Sequence, residues 1–168
     1  MGSVPSAGFS LNWWRQILGE KLTFAEIDDL AARSECGCGG VFYLPYLSGT
    51  GTPYLIDKAL GGFVGLSGFT NQAHLSRAVM EGVAFGIKQC LDVVEGSHKR
   101  IIVTGGITRS SLWTQILADV INQPLQLRQV KDASGIGAVI LAAKAVGLAD
   151  DISSLAPSLG GETLNKEP

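Results

Sequence analysis

The stretch Val103-Thr104-Gly105-Gly106-Ile107-Thr108-Arg109-Ser110 joins an apolar run to a diglycine turn and then to a hydroxyl residue able to open a helix. The first turn of a helix has unpaired N–H groups and a partial positive charge, so it receives phosphates and other anions. Two glycines let the chain turn sharply and let a flat ligand lie against bare backbone. A tight strand-to-helix turn in any α/β protein has the same letters, and this segment alone does not separate the two readings. Hydride-transfer chemistry is disfavoured, because G-x-G-x-x-G is absent and the next glycine after Gly106 is Gly135. The P-loop lysine pattern is absent as well.

Other groupings carry less. Ser48-Gly49-Thr50-Gly51-Thr52-Pro53 reads as a hydroxyl-rich surface loop. Arg77 and Glu81 stand four residues apart and read as a helix-surface ion pair worth about 0.2–0.5 kcal/mol. Of the adjacent Trp13 and Trp14, one is expected in the core and the other partly exposed. Asp28-Asp29 and Asp150-Asp151 read as solvated helix ends. Cys36-Gly-Cys38 has no second ligand pair, and with Cys90 it makes an odd set with no disulfide framework, which suits a reducing cytoplasm. His74 and His98 have no metal-like spacing. No catalytic and no metal-ligating residue is assigned.

Periodicity places these residues on elements. Helices are expected over residues 6–18, stopped by Gly19, and after Thr23, where Glu26 completes a capping box and Phe24, Ile27, Leu30 and Ala31 form the stripe. Residues 36–40 form a glycine-rich break. Residues 41–47 read as a buried strand with Pro45 marking an end or an edge, and 61–66 as a short strand. Residues 71–95 carry the strongest helical repeat, ended by Gly96. Gly82 and Gly86 fall on its buried face and imply a closely approaching backbone. A strand over 100–104, a helix capped by Ser110 and closed by Pro124, a brief strand over 125–127 and a small-residue helix over 133–146 follow. The tail has helical potential over 152–155 and then a polar end.

Glycine supplies 22 of the 168 residues, nearly twice the roughly 7% of ordinary proteins. Apolar residues make up 46% and charged residues 17%, so the chain requires a core and is not disordered. The length fits one domain. A net charge of −2 without a basic stripe argues against nucleic acid as a partner, and no apolar run matches a membrane span. The first residues lack the basic and apolar regions of a signal peptide, so a cytoplasmic location is expected. Helix and strand alternate in the later half, which implies an α/β class. Strands are few for the helices present, and the sheet is expected to be incomplete.

Gly61-x-Phe63-x-Gly65-Leu66, followed after seven residues by His74-Leu75-x-x-Ala78-Val79-Met80-Glu81, resembles the C-terminal signature of the FGGY carbohydrate kinases. Phe42-Tyr43-Leu44-Pro45-Tyr46-Leu47-Ser48-Gly49 with Thr52-Pro53 is similar to the preceding segment of the xylulokinases and gluconokinases. Thr104-Gly105-Gly106 with Arg109-Ser110 and Leu112-Trp113 resembles the adenosine-binding stretch of the family, and Ser134-Gly135-x-Gly137-Ala138 the small-residue helix behind the nucleotide. The resemblance spans residues 7–148, leaving 149–168 as a tail.

The resemblance implies the C-terminal part of an actin-like (ribonuclease H-like) ATPase domain, taken from an enzyme that transfers phosphate from ATP, with Mg²⁺, to a sugar hydroxyl. A pentulose such as xylulose is the expected acceptor, with gluconate or another sugar as the alternative. By position, Gly105, Gly106 and Ser110 would face adenine and ribose, and Gly8 and Asn12 would form the second nucleotide contact. Many relatives have a third glycine where Ile107 stands, and commonly Glu-Arg where Thr50-Gly51 stand. Both phosphate loops and the catalytic aspartate of the family fall outside this sequence. The chain is therefore expected to be inactive alone and to depend on a separate N-terminal kinase part or on a homo-oligomer. A non-catalytic nucleotide-binding or assembly module is the reading from another class.

Overall fold

The computed structural model describes residues 3–19, 22–94, 100–130, 132–148, 151–152 and 163–168. Five helices and five strands are built by them. They are α1 (Ala7–Ile17), α2 (Phe24–Ala31), β1 (Phe42–Leu44), β2 (Gly62–Val64), α3 (Gln72–Asp92), β3 (Ile101–Thr104), α4 (Ser111–Ile121), β4 (Leu125–Arg128), α5 (Ala133–Ala145) and β5 (Thr163–Lys166).

Several ends are local chemistry. At α2 the Thr23 hydroxyl accepts from the Glu26 N–H (3.2 Å) while Glu26 Oε2 accepts from the Thr23 N–H (2.7 Å), so two orphan donors are satisfied reciprocally. Asn71 caps α3 by accepting from the Ala73 and His74 N–H groups. Asn122 closes α4 in the left-handed conformation (φ 56°), and Pro124 follows.

α3 is the strut of the molecule: α1, α2, α4 and β1 all pack on it. Trp14 and Trp113 are buried against it and keep their ring N–H groups paired, Trp14 donating to Ser76 Oγ (2.8 Å) and Trp113 to the Met80 carbonyl (3.0 Å). Trp13, half-buried, stacks on Tyr43. The pair of tryptophans thus divides as expected between core and surface.

The strands form two small sheets. β1 pairs antiparallel with β2, Tyr43 opposite Phe63. The second sheet has the order β3-β4-β5, parallel then antiparallel, with Val103 opposite Leu127 and Leu127 opposite Leu164. Among the described strands β3 is paired along one edge only. Among the described residues no helix is long and apolar enough to cross a membrane.

The structure departs from the sequence-based expectations at several places. The strand expected over 41–47 stops at Leu44, because Pro45 has no N–H and Tyr46 N–H turns back to the Leu44 carbonyl (2.9 Å). Only Tyr43 of β1 is buried. The second strand ends before Gly65, whose φ of 85° leaves the strand region. Gly86 meets only side chains, those of Val4 and Pro45, and not a backbone. In the small-residue helix, the described residues leave space open around Gly137, Gly135 faces the Asp132 cap of its own helix, and α5 buries only Ile140. The tail forms a strand, β5, held to α4 by Gln115 Nε2 donating to the Glu167 carbonyl (2.8 Å). The helix expected near 152–155 lies largely outside the described residues. The helix expected over 71–95 ends at Asp92 with Val93 as its C-cap, before Gly96, which lies outside the described residues.

Candidate binding cleft

β3 runs into Gly105, whose backbone (φ 93°, ψ −164°) lies where a side chain is strained. A 3-10 turn, Gly106–Arg109, then leads to α4. The turn is held from both ends. Thr108 Oγ1 donates to the Gly105 carbonyl (2.8 Å), and Gln129, just beyond β4, donates to the Thr108 carbonyl (3.3 Å). Ser110 caps α4, its hydroxyl accepting from the Trp113 N–H (2.9 Å), as the sequence predicts.

This turn forms one wall of a cleft of about 800 Å³, within the range of small-molecule sites. α1 contributes Gly8 and Leu11, and α2 contributes Phe24 and Asp28. The floor is apolar, from Val83 and Ile87 of α3 and Ile101 and Val103 of β3. Asp28, Thr104, Arg109 and Ser110 are its charged and hydroxyl groups. Of the five residues expected to contact a nucleotide, Gly8, Gly106 and Ser110 share this cleft although Gly8 lies about a hundred positions before the other two. Gly105 precedes it as the hinge of the turn and is not part of the lining. Asn12 is also outside the lining, and its side-chain oxygen accepts from Arg15 (3.4 Å). Ile107 lines the cleft while packing against the core, which turns part of its bulk away from the opening.

A Cβ at Gly8, Gly105 or Gly106 would meet no heavy atom within 4 Å. Internal packing therefore does not require glycine at these positions. At Gly8 and Gly106 the bare backbone faces the open cleft. Among the described residues no group of three or more His, Cys, Asp or Glu is placed to hold a metal ion.

Asp28 corrects the expectation of a solvated helix end. Its Oδ1 is buried and has no hydrogen-bond partner. Burial raises its carboxyl above the ordinary carboxylate value, the Ser110 side chain opposes this, and the charge of Asp29 adds to it. Phe24, expected on the buried stripe of α2, is half exposed instead and lines the cleft one turn before Asp28. The signal for both was the spacing of four along α2, which puts them on one face.

A raised value in the folded state means that the folded chain holds this proton more tightly than the unfolded chain. The stability contributed by Asp28 therefore falls as pH rises through that interval, and the ionised carboxylate is a cost at neutral pH. Asp28→Asn is expected to raise the urea midpoint at pH 7. The gain should fade as pH drops below the carboxylate range, where Asp28 is protonated in both states. A gain independent of pH would contradict burial as its cause.

Residues 1–146 match the FGGY family of carbohydrate kinases, C-terminal domain. The chain is 35% identical over 157 residues to a xylulose kinase of Staphylococcus epidermidis, covering 92% of this chain and 32% of that protein. It is 34% identical over 158 residues to a glycerol kinase of Clavibacter michiganensis, with 92% and 31% covered. Its structure is similar to that of a ligand-bound xylulose kinase from Lactobacillus acidophilus, with a TM-score of 0.83, 28% identity, and 99% of this chain and 34% of that one covered. The chain thus spans about a third of the length of the relatives it matches. The α/β arrangement with small mixed sheets is that of the actin-like ATPase fold, and the chain belongs to the FGGY family of carbohydrate kinases, matching its C-terminal domain.

Proposed function

We propose that this chain forms the adenosine side of the nucleotide site of an ATP-dependent sugar kinase, with a pentulose such as xylulose as the acceptor. The observation that carries this reading is the meeting of Gly8, Gly106 and Ser110 in the lining of one cleft, the two glycines with bare backbone facing open space. Gly106 lets the ligand approach the main chain, and the Ser110 cap keeps the first turn of α4 in place beneath it. The apolar floor excludes water from the base. Bound ATP would supply the phosphoryl group. Phosphoryl transfer depends on positioning and charge neutralisation, and this chain's share of that work is to hold the nucleotide still. Mg²⁺, the sugar and the general base then belong to a further part of the kinase, in the cytoplasm.

Two features support completion by such a part. Among the described residues β3 has one unpaired edge, and α5 leaves Val139 and Leu141 exposed. An N-terminal kinase part that adds a strand beside β3 satisfies the first. The same features also favour a second reading, in which the chain is a nucleotide-binding or assembly module without catalysis.

Calorimetric titration with ATP tests the main reading. The chain is expected to bind ATP, and Gly106→Val to weaken binding by about tenfold or more, because a branched side chain fills the approach to the backbone. Unchanged binding by the variant would overturn the site. Xylulose- or gluconate-dependent ADP release is expected only after the missing kinase part is added. If the completed complex binds ATP but releases no ADP with any sugar, the module reading replaces the kinase reading.

A further inference from the structure

Helices α2 to α5 each begin on a side-chain cap, from Thr23, Asn71, Ser110 and Asp132. α1 does not. Ser6 stands at its N-cap without a capping bond, and no acidic residue lies in its first turn. That same turn supplies Ala7 and Gly8 to the cleft lining. It is tied instead through residues 3–5 to the loop at 50–52. The Thr52 N–H donates to the Ser3 carbonyl (3.0 Å), and the Ser3 N–H donates to Thr52 Oγ1 (3.2 Å). The Cys90 thiol of α3 lies 3.6 Å from the Ser3 carbonyl and 3.4 Å from that of Thr52, as a donor between them. The Ala7 N–H donates to the Val4 carbonyl (3.2 Å), which carries the tie into the first turn of α1.

Gly51 is what lets the two segments meet. A Cβ there would run into the Ser3 carbonyl oxygen and lie 2.7 Å from its carbon and 2.8 Å from Pro5 Cδ. The loop cannot retreat cheaply. The Gly51 carbonyl accepts from the Leu55 N–H (2.9 Å), the Thr50 N–H donates to the Ile56 carbonyl (3.0 Å), and the Thr50 hydroxyl accepts from the Ile56 N–H (2.8 Å). A side chain at position 51 would therefore displace residues 3–5. Resting on the nucleotide reading above, we propose that Gly51, with Thr52, is a positioning residue for the nucleotide site. It seats residues 3–5 so that the uncapped first turn of α1 holds Gly8 in the cleft.

Gly51→Ala is expected to weaken ATP binding about fivefold, the effect of a first turn that is correctly formed only about a fifth of the time. Amide hydrogen exchange locates the cause. The Ala7 and Ser10 N–H groups, bonded to the Val4 and Ser6 carbonyls, should exchange faster in the variant while α4 exchanges as in the wild type. Saturating ATP should restore their protection, because a ligand that needs the ordered turn also stabilises it. Thr52→Val, which loses the acceptor for the Ser3 N–H, should weaken ATP binding about twofold, and Thr52→Ser, which keeps the hydroxyl, should recover the wild-type affinity. If Gly51→Ala does not fold, the Thr52 pair decides alone. Unchanged ATP affinity in Gly51→Ala, faster exchange spread equally over α4, or equal affinities in the two Thr52 variants overturns the positioning role and leaves the nucleotide site standing. Failure of the wild type to bind ATP overturns the nucleotide site itself, and this assignment with it.

Discussion

Arg77→Ala is expected to cost about 3–5 kcal/mol of folding stability, several times what an exposed helix pair contributes. The sequence reads Arg77 and Glu81 as such an exposed pair. The structure instead buries Glu81 and leaves Arg77 only slightly exposed, their side chains 7% and 15% accessible, with Arg77 Nε donating to Glu81 Oε1 at 2.7 Å. Arg77 Nη1 also donates to the Ser34 carbonyl (3.0 Å), and the Glu81 carboxylate accepts from the Gly37 N–H at 3.2 and 3.3 Å. The pair therefore staples α3 to the loop that leaves α2. Removing the guanidinium strands a buried carboxylate and orphans a carbonyl. The same network bears on Cys38, whose thiol burial pushes up to about 12, with the Glu81 charge adding to the effect. Urea denaturation measures the loss. The double variant Arg77→Met/Glu81→Leu should recover at least about 1 kcal/mol relative to Arg77→Ala, because no lone charge remains buried. A single-variant loss below about 1 kcal/mol would show that the pair behaves like a solvated one.

The second large effect is expected at Gly82. In an exposed helix interior, Gly→Ala stabilises by about 0.8–1.0 kcal/mol. At Gly82 the sign reverses. An added Cβ would lie 2.3 Å from the Tyr43 carbonyl oxygen and 3.0 Å from its carbon. The obstacle is backbone and not a flexible side chain. β1 cannot retreat cheaply, since Tyr43 is paired with β2, stacked on Trp13, and donates from its hydroxyl to Ser10 Oγ (3.1 Å). Gly82→Ala is expected to destabilise by about 3 kcal/mol, the upper end of ordinary overpacking. Gly86→Ala is the internal control. Its Cβ would make ordinary contacts of 3.4 Å and 3.6 Å with Val4 and Pro45 side chains, so helix propensity should dominate and the variant should be neutral or slightly more stable. Equal losses at the two positions would refute the backbone collision as the cause.

The residues least legible in the sequence are those whose role depends on a distant partner. Asp28 differs from Asp29 only in the direction it faces around α2, and the difference matters because Ser110, far along the chain, lies beside one and not the other. Gly135 and Gly137 look like a packing face, yet α5 has nothing described against that face. β5 has too few apolar residues to show a strand period, and it forms because the backbone of β4 offers a free edge.

Sequence alone determined what depends on near neighbours. The capping box at Thr23, the Ser110 cap, the diglycine turn after β3 and the alternation of Leu125 and Leu127 into the core are set by residues within a few positions of one another. The spacing of the FGGY signature is likewise a local pattern, so the family was legible before the structure. The tertiary structure decided which polar groups lose water. Burial of the Arg77–Glu81 pair, the orphaned Asp28 oxygen and the contact that makes Gly82 necessary each arise where elements remote in sequence come together, and the free energy of a charged or crowded group depends on those neighbours more than on its own letter.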